Sequence, residues 1–239
     1  MSKVAVITGA TRGIGAATAS ELGRQGYTVV VTGRARDAVD QAVGKLGAAG
    51  VDARGVVLDV TAPNSVTEAA RAVSEEFDHV DVLVNNAGIL PEGTGQGGDV
   101  VAATFATNAV GPFAVTEAFL PLLRRSPAGR IVNVSSRMGS LTEQADPASA
   151  YYSMVVPAYQ ASKAALNSYT ISLAKALAAT PIVVTSVCPG FVQTELTPAN
   201  KDQAPTTPEQ AARTVVAAAT APAGAPSGTF VDGDGPIRW

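Results

Sequence analysis

The sequence predicts an α/β fold in which a doubly wound parallel sheet is covered by helices on both faces. Short β-branched apolar runs alternate with alanine-rich helical stretches almost to the C-terminus. The apolar runs are continuous rather than alternating, as expected for strands that are buried on both faces. Because a helix separates successive strands, the connections are expected to be right-handed crossovers between parallel strands.

Each element can be assigned in chain order. Strands are predicted at residues 4–8, 28–32, 53–58, 80–84, 130–134, 182–187 and 228–231. Helices are predicted at residues 14–25, 36–49, 64–77, 100–124, 158–179 and 209–220. The last helix has a local start signal, since Thr207 can cap it and Pro208 suits its first position. No repeat or linker divides the series, so residues 1–239 are predicted to form a single domain.

Composition excludes several classes of protein. The chain is 46% hydrophobic and 15% charged, which is typical of a globular protein, and its net charge of −3 argues against nucleic acid or an anionic membrane as partner. One cysteine excludes an internal disulfide, and a single histidine argues against a metal site. Met1-Ser2-Lys3 leads directly into the first strand, and the longest uncharged run contains prolines. We therefore expect a soluble cytoplasmic protein with no secretory signal and no membrane helix.

The first strand runs into a glycine-rich turn with the spacing Gly9-x-x-x-Gly13-x-Gly15. Gly9 can leave the strand with a positive φ, and Gly13 leaves room for a pyrophosphate. Gly15 lets the first helix pack close to the sheet, where its free N–H groups would face phosphates. A tight turn is the structural alternative, but the position directly after an apolar strand favours a nucleotide site.

The second strand ends at Gly33-Arg34, with Arg36 close behind and no carboxylate at its tip. An acidic residue there would accept hydrogen bonds from an unmodified ribose, whereas a guanidinium pairs with a 2′-phosphate. Arg12 could approach the same phosphate from the opposite side. Solvated surface arginines are the alternative, but two arginines beside the adenosine pocket favour NADPH over NADH.

Tyr159 and Lys163 lie one turn apart on the same face of a predicted helix. Free tyrosine titrates near ~10, and a neighbouring ammonium favours the phenolate. We therefore expect Lys163 to lower the pKa of Tyr159 and to make it a usable acid–base. Such pairs also occur by chance on helix surfaces, but together with the glycine turn this one indicates a nucleotide-dependent redox enzyme.

Five ordered motifs together resemble the short-chain dehydrogenase/reductase family, whose members have a Rossmann-type fold. They are Thr8–Gly15, Asn85-Asn86-Ala87-Gly88, Ser136, Tyr159-x-x-x-Lys163 and Pro189-Gly190-x-Val192-x-Thr194. The likeness extends from the first strand to the last. The basic residue after the second strand and the closing run 228–239 resemble the NADPH-dependent, carbonyl reductase-like members.

The resemblance implies a catalytic set of four residues. Tyr159 would protonate the carbonyl oxygen, Lys163 would bind the nicotinamide ribose, and Ser136 would polarise the substrate carbonyl, with Ser135 structural. Asn108 matches the asparagine that kinks its helix and holds a water linking the lysine to solvent. Independently of the resemblance, Ser136 follows an apolar strand and so lies at the carboxyl edge, where such sheets bind ligands.

The resemblance also implies the residues that bind NADP. Asp59 and Val60 would contact adenine, and the segment 86–88 would line the adenosine ribose. The segment 189–194 would hold the carboxamide and the pyrophosphate. The full predicted set is Gly9, Thr11, Arg12, Gly13, Ile14, Gly15, Arg34, Asp59, Val60, Asn86, Ala87, Gly88, Tyr159, Lys163, Pro189, Gly190, Val192 and Thr194.

The chain departs from many members of the family in the long spacing between Ser136 and Tyr159. The insertion at residues 141–157 lies beside the predicted cleft. It either shapes the substrate pocket or covers the long helix that other members use for dimer contacts. The protein is accordingly expected to be a monomer or a homo-oligomer.

The sequence thus predicts an oxidoreductase that transfers a hydride between NADPH and a small ketone or aldehyde. A sugar-nucleotide epimerase or dehydratase is one alternative, disfavoured by the glycine spacing and the lack of a C-terminal substrate domain. A catalytically silent NADPH-binding regulator is another, disfavoured because Tyr159 and Lys163 are both intact. A methyltransferase would have no use for that pair.

The single histidine, the single cysteine and two aspartates near the C-terminus are expected to have structural rather than catalytic roles. His79 is expected to be an exposed turn residue, and Cys188 a small buried hydrophobe. Asp232 and Asp234 suggest a turn, because a calcium loop would need more ligands at regular spacing.

Overall fold

A computed structural model describes residues 3–91 and 97–239 as an α/β fold around one sheet. The strands are β1 (Lys3–Ile7), β2 (Tyr27–Gly33), β3 (Ala53–Val57), β4 (Val82–Asn85), β5 (Arg130–Val134), β6 (Val183–Val187), β7 (Thr229–Asp232) and β8 (Gly235–Pro236). Their order across the sheet is β3-β2-β1-β4-β5-β6-β7-β8. β1 to β7 are parallel, and the short β8, which was not predicted, pairs antiparallel with β7.

Helices connect the strands. They are α1 (Gly13–Arg24), α2 (Arg36–Ala48), α3 (Pro63–Glu76), α4 (Gly98–Phe105), α5 (Gly111–Leu123), α6 (Leu141–Ala145), α7 (Pro157–Ala176), α8 (Pro198–Gln203) and α9 (Pro208–Ala219). Within residues 3–91 and 97–239, no helix has the length and apolar composition that crossing a membrane would require.

The predicted elements are found close to their expected bounds, with three differences. The helix expected over residues 100–124 is divided by a π-helical turn at Ala106–Val110. The insertion at residues 141–157 contains the short helix α6, and the loop after Thr194 contains α8. Each is too short to produce a periodic pattern, so only local caps such as Ser140 and Thr197 mark them.

The continuous apolar strands are explained by two cores, one on each face of the sheet. Val4 and Val6 of β1 belong to the cluster that contains Phe119 of α5. Ala5 and Ile7 belong to the opposite cluster, which contains Leu22 of α1. Successive residues of a strand point to opposite faces, so a strand buried on both sides is apolar at every position.

The strand order reverses between β1 and β4, whose neighbours lead away in opposite directions. At such a point the crossover helices leave to opposite faces and a crevice opens beyond the carboxyl ends of the strands. Gly9 follows β1 and Asn86 follows β4, so both lie at the mouth of this crevice. The topology therefore places two of the predicted motifs side by side.

At the amino ends of the strands, opposite the crevice, the buried carboxylate of Asp81 joins β1 to the start of β4. It accepts hydrogen bonds from the Val4 N–H at 2.8 Å and from the Ser126 hydroxyl at 2.6 Å. His79 Nε2 lies 3.3 Å from the same carboxylate, and the His79 side chain is only 20% exposed. The expectation that His79 is an exposed turn residue is therefore wrong, because its side chain is largely buried beside Asp81, two residues along the chain.

Replacing Asp81 by alanine should leave the buried Val4 N–H and the buried Ser126 hydroxyl without their hydrogen-bond acceptor. Because hydrogen bonds to a charged group each contribute about 1.5–3 kcal/mol, we expect the free energy of unfolding to fall by about 3 kcal/mol. Urea denaturation measures the change. The exposed neighbour Asp78 provides the control, since Asp78→Ala should change stability by less than about 0.5 kcal/mol. Equal losses in both variants would contradict this account of Asp81.

Candidate active site

The glycine turn after β1 has the backbone conformation that its sequence predicts. Gly9 and Gly13 have φ values of 63° and 55°, in the left-handed region that favours glycine. A Cβ atom on Gly15 would lie 2.6 Å from the Asn86 side-chain nitrogen and from the Gly9 carbonyl oxygen. Side chains are thus excluded from the turn by its close packing.

The N-terminus of α1 is open towards the crevice. The helix begins at Gly13, no side chain of the described residues caps it at Arg12, and its first turn holds no acidic residue. Its first N–H groups and the positive end of its dipole suit an anion such as a pyrophosphate. Ile14 packs into the core beneath this turn. Thr11 packs on the end of β2, because a Cβ atom on Gly33 would lie 2.6 Å from the Thr11 methyl group.

Hydrogen bonds join the turn to the segment after β4. The Thr8 hydroxyl accepts from the N–H groups of Asn86 and Ala87 at 2.9 and 3.0 Å. The Asn86 amide donates to the Thr8 carbonyl at 2.8 Å, and a Cβ on Gly9 would approach the Ala87 Cα to 3.1 Å. The two motifs therefore form one surface of the crevice.

The segment that follows β6 crosses the same turn. Gly190 has a φ of 87°, and Val192 pairs with Thr206 in a parallel bridge. A Cβ on Gly13 would lie 3.4 Å from the Thr194 methyl group. This segment therefore lies against the glycine turn, as a role in holding the cofactor requires.

The three candidate arginines have different surroundings. Arg12 is exposed and forms an ion pair with Glu195 at 2.7 Å, so its role beside a ribose phosphate stays a prediction. Arg36 lies 3.5 Å from Asp40, one turn along α2. Arg34 is exposed directly after β2, and its charge contributes to lowering the pKa of Asp59.

Asp59 and Val60 lie at the end of β3, as the resemblance implies. Hydrogen bonds from the Thr61 hydroxyl and N–H lower the pKa of Asp59 below its ordinary value. Val60 packs against the start of α5, where a Cβ on Gly111 would come within 2.9 Å of its side chain. Both residues are thus held in place just beyond the end of β3, and their contact with adenine stays a prediction.

Tyr159, Lys163 and Ser136 lie together where α7 meets the end of β5. Tyr159 and Lys163 are buried on one face of α7, and the Lys163 ammonium lies 5.6 Å from the centroid of the Tyr159 ring. Lys163 Nζ donates to the Val134 carbonyl at 2.8 Å. Ser136 lies two residues beyond the end of β5 and forms a side-chain hydrogen bond with Tyr159.

Burial dominates the protonation of this pair. It raises the pKa of Tyr159 well above its ordinary value, and the neighbouring Cys188 adds to the rise, while the hydrogen bond with Ser136 opposes it. Burial also lowers the pKa of Lys163 to about 8. The expectation that Lys163 lowers the pKa of Tyr159 is therefore wrong for this structure, since loss of hydration disfavours both charged forms.

Asn108 lies in the π-helical turn and is fully buried. Its side chain accepts from the Ile89 N–H and donates to the Ile89 carbonyl, both at 2.9 Å, and donates to the Ser162 hydroxyl at 3.1 Å. A Cβ on Gly88 would lie 3.4 Å from the Asn108 oxygen and 3.6 Å from Lys163 Nζ. Asn108 is therefore a near neighbour of the lysine, and its role in holding a water stays a prediction.

Ser135 and Cys188 have the structural surroundings that the sequence suggests. The Ser135 hydroxyl is buried and donates to Asn167 at 2.7 Å. Cys188 is buried as well, and burial raises the pKa of its thiol.

Arg137, which follows Ser136, escaped the sequence analysis. Its guanidinium donates to Asp232 Oδ2 at 2.8 and 2.5 Å and to Glu143 Oε1 at 2.9 Å. Its N–H donates to the Cys188 sulfur at 3.4 Å. Asp232 is 95 residues away along the chain, so no local pattern could have indicated this pairing.

Comparisons with known proteins agree with this geometry. A family model described as short chain dehydrogenase matches residues 3–205. A short-chain dehydrogenase from Penicillium roqueforti is 36% identical over 225 residues, which cover 90% of this chain and 87% of that protein. The putative ketoacyl reductase of a monensin polyketide synthase from Streptomyces virginiae is 38% identical over 202 residues, 82% of this chain and 72% of that protein.

Solved structures are similar over almost the whole length. The NADPH-bound carbonyl reductase from chicken fatty liver superposes with a TM-score of 0.87 at 26% identity, covering 100% of this chain and 99% of that one. An actinorhodin polyketide ketoreductase with NADPH gives a TM-score of 0.82 at 28% identity, covering 97% and 95%. With its glycine turn and its buried tyrosine, lysine and serine, the chain belongs to the short-chain dehydrogenase family of oxidoreductases.

Proposed function

We propose that the protein reduces a ketone or aldehyde to an alcohol with NADPH, reversibly. The observation that carries the proposal is the meeting of the Tyr159 and Ser136 hydroxyls beside Lys163, at the edge of the sheet that also holds the glycine turn. The turn fits a dinucleotide, because α1 leaves its first N–H groups uncapped among the described residues. When bound, the cofactor supplies the hydride that reaches the carbonyl carbon.

Ser136 and Tyr159 would act on the carbonyl oxygen. The Ser136 oxygen accepts a hydrogen bond from the Met138 N–H at 3.1 Å, so its own hydrogen is left for Tyr159 or for a substrate. The raised pKa of Tyr159 keeps the phenol protonated at neutral pH, as a donor to the developing alkoxide must be. Together the two hydroxyls would bind the oxygen and deliver one proton to it.

Lys163 would stabilise the phenolate that remains after this proton transfer. Its ammonium is fixed by the Val134 carbonyl and lies over the Tyr159 ring. A positive charge near the phenol favours the ionised form at the moment it arises. Asn108, bonded to Ile89 beside Lys163, would hold the water through which the proton is replaced.

The preference for NADPH is supported by the surroundings of the arginines. Arg12 and Arg36 pair with carboxylates of this chain, whereas Arg34 is exposed at the tip of β2. A guanidinium there suits a ribose 2′-phosphate. The chicken carbonyl reductase and the actinorhodin ketoreductase, both similar in structure, bind NADPH.

Tyr159→Phe should lower kcat for carbonyl reduction by about 10²- to 10⁴-fold, because the proton donor is lost while the ring remains. The Kd for NADPH, measured by fluorescence titration, should stay within about twofold of the wild-type value. Tyr152→Phe, at an exposed tyrosine, is the matched control. A wild-type protein that binds NADPH but reduces no carbonyl compound would favour a silent regulator instead.

Arg34→Ala should weaken NADPH binding by about ten- to a hundredfold, since a charge-assisted hydrogen bond contributes about 1.5–3 kcal/mol. Binding of NADH should change little, because it carries no 2′-phosphate. The paired Arg36 offers the control, and Arg36→Ala should leave the ratio of the two Kd values almost unchanged. Equal losses for NADPH and NADH in Arg34→Ala would contradict the 2′-phosphate assignment.

The lowered pKa of Lys163 predicts a stability that depends on pH in the cofactor-free protein. Between about pH 8 and its ordinary value of 10.5, the unfolded chain binds a proton that the folded chain has released. The free energy of unfolding should therefore rise with pH in this window, by up to about 1.4 kcal/mol per unit, relative to Lys163→Met.

Urea denaturation of both proteins at pH 7.5, 9 and 10 tests this prediction. The exposed Lys175 of the same helix gives the control, since Lys175→Met should follow the wild-type pH dependence. A constant difference between wild type and Lys163→Met over this range would show that Lys163 keeps an ordinary pKa.

A further inference from the structure

The turn that carries Ser136 is short and is closed by its own hydrogen bonds. Ser136 precedes one 3₁₀ turn, Arg137–Gly139, and its side-chain oxygen accepts from the Met138 N–H at 3.1 Å. The Gly139 N–H donates to the Ser136 carbonyl at 2.8 Å. Because the turn is closed in this way, contacts at its two ends fix the position of Ser136 between them.

A single buried side chain, the amide of Asn167, holds both ends of this turn. The amide oxygen accepts from the Ser135 hydroxyl at 2.7 Å, and the amide nitrogen donates to the Gly139 carbonyl at 3.2 Å. Ser135 stands directly before Ser136, and Gly139 ends the turn. Asn167 is only 3% exposed, so water has little access to these two hydrogen bonds. We call this arrangement of Asn167, Ser135 and Gly139 the clamp.

The clamp lies on the same helix as Tyr159. Residues 159, 163 and 167 of α7 are spaced by four, so their side chains lie one above another on one face of the helix. Tyr159 bonds to Ser136, and Lys163 Nζ donates to the Val134 carbonyl at 2.8 Å. Asn167 therefore joins the turn that carries one hydroxyl to the helix that carries the other.

The turn also touches the backbone of α7 directly. A Cβ atom on Gly139 would lie 2.7 Å from both the carbonyl carbon and the Cβ of Lys163. Only glycine permits so close an approach, because any side chain would push the turn away from the helix. Gly139 thus sets how closely the turn approaches, while the directional hydrogen bonds of Asn167 set its orientation.

A second polar anchor lies further along α7 and offers a matched comparison. The Thr170 hydroxyl accepts from the Asn133 amide at 2.8 Å and lies 2.8 Å from the Ser186 hydroxyl. Thr170 is fully buried, and these two partners belong to β5 and β6. Thr170 therefore anchors the helix to the sheet, whereas Asn167 anchors the turn to the helix.

We propose that Asn167 is a positioning residue, which holds the turn of Ser136 against α7 and so keeps the Ser136 hydroxyl beside that of Tyr159. Asn167 would not touch the substrate or the cofactor. Its effect on the rate would come from orientation, since a displacement of about 1 Å in a reacting group can slow a reaction by about 10²-fold. This inference rests on the proposed carbonyl reduction for its kinetic readout, but the clamp itself can be measured without a substrate.

The first experiment measures the clamp by hydrogen–deuterium exchange of the cofactor-free protein. Asn167→Leu keeps the approximate size of the side chain and removes both hydrogen bonds, so the amides of Met138 and Gly139 should exchange at least about tenfold faster. Thr170→Val removes the matched anchor and should leave these two amides within about twofold of the wild type. Unchanged exchange in Asn167→Leu, or equal acceleration in both variants, would overturn the clamp.

The second experiment follows the reduction of 2,2,2-trifluoroacetophenone, a neutral activated ketone, by NADPH. Asn167→Leu should lower kcat by about ten- to a hundredfold. The KM for NADPH should stay within about twofold, because the side chain of Asn167 bonds to Ser135 and Gly139 and not to a predicted cofactor-binding residue.

The control for the kinetics is again Thr170→Val. It should lower the urea midpoint, as Asn167→Leu does, yet keep kcat within about threefold of the wild type. An equal loss of kcat in the two variants would mean that Asn167 only supports the fold. A wild-type kcat in Asn167→Leu would likewise overturn the positioning role.

Ser135→Ala gives a second route if Asn167→Leu does not fold. It removes one of the two hydrogen bonds of the clamp, so kcat should fall severalfold and the Met138 and Gly139 amides should exchange faster. Where both variants fold, the double variant should be no slower than Asn167→Leu, because both changes break the same bond. Losses that multiply, or a Ser135→Ala protein with wild-type kcat and exchange, would overturn the proposal.

The two experiments separate a failure of the clamp from a failure of the proposed function. A wild-type protein that reduces no carbonyl compound would end the proposed reduction. The exchange of the Met138 and Gly139 amides would still support or overturn the clamp, because it needs neither cofactor nor substrate.

Discussion

The docking of α7 across the end of β5 is the constraint on which the candidate site depends. Lys163 Nζ bonds to the Val134 carbonyl at 2.8 Å, and Asn167 bonds to both Ser135 and the Gly139 carbonyl. A Cβ atom on Gly139 would lie 2.7 Å from the Lys163 Cβ, so the turn after β5 touches the helix directly. This contact brings Ser136, at the start of that turn, to Tyr159 on the helix. The two hydroxyls belong to separate elements of the fold, and without this contact they would not lie side by side.

The same docking sets the electrostatics of the site. Lys163 is buried against a carbonyl and loses hydration without gaining a carboxylate partner, so its pKa falls to about 8. Burial raises the pKa of the neighbouring Tyr159, which therefore keeps its proton. In the cofactor-free protein this suits a proton donor rather than a base. In the proposed reaction, Tyr159 would ionise only as its proton leaves to a substrate oxygen next to the Lys163 charge. The sequence spacing correctly paired the two side chains, but their burial decided the direction of the shift.

Whether the sequence could predict a feature depends on how far apart along the chain its interacting residues lie. Strands and long helices were predictable because burial on both faces imposes a pattern within a few residues. The glycine turn and the meeting of Tyr159, Lys163 and Ser136 were predictable because motifs of fixed residue type and spacing indicate them. The π-helical turn around Asn108, the short helices α6 and α8, and the Arg12–Glu195 pair were not, since each depends on contacts that fold the chain back on itself. His79 was misjudged because its partner Asp81 is buried by contacts with Val4 and Ser126, which are distant in sequence.

The insertion at residues 141–157 shows why substrate choice is harder to predict than reaction type. Reaction chemistry needs a few groups whose identities can be recognised in sequence, whereas a pocket wall can be built from any residues that the fold happens to anchor. Here the anchor joins Arg137 to Asp232 across 95 positions, through a pair that resembles any surface ion pair when it is seen in sequence. Because Arg137 directly follows Ser136, the same anchor also ties the turn after β5 to the insertion and to β7. Contacts of this kind leave no local pattern, so a sequence can indicate a class of reaction and still say little about the walls of the pocket around it.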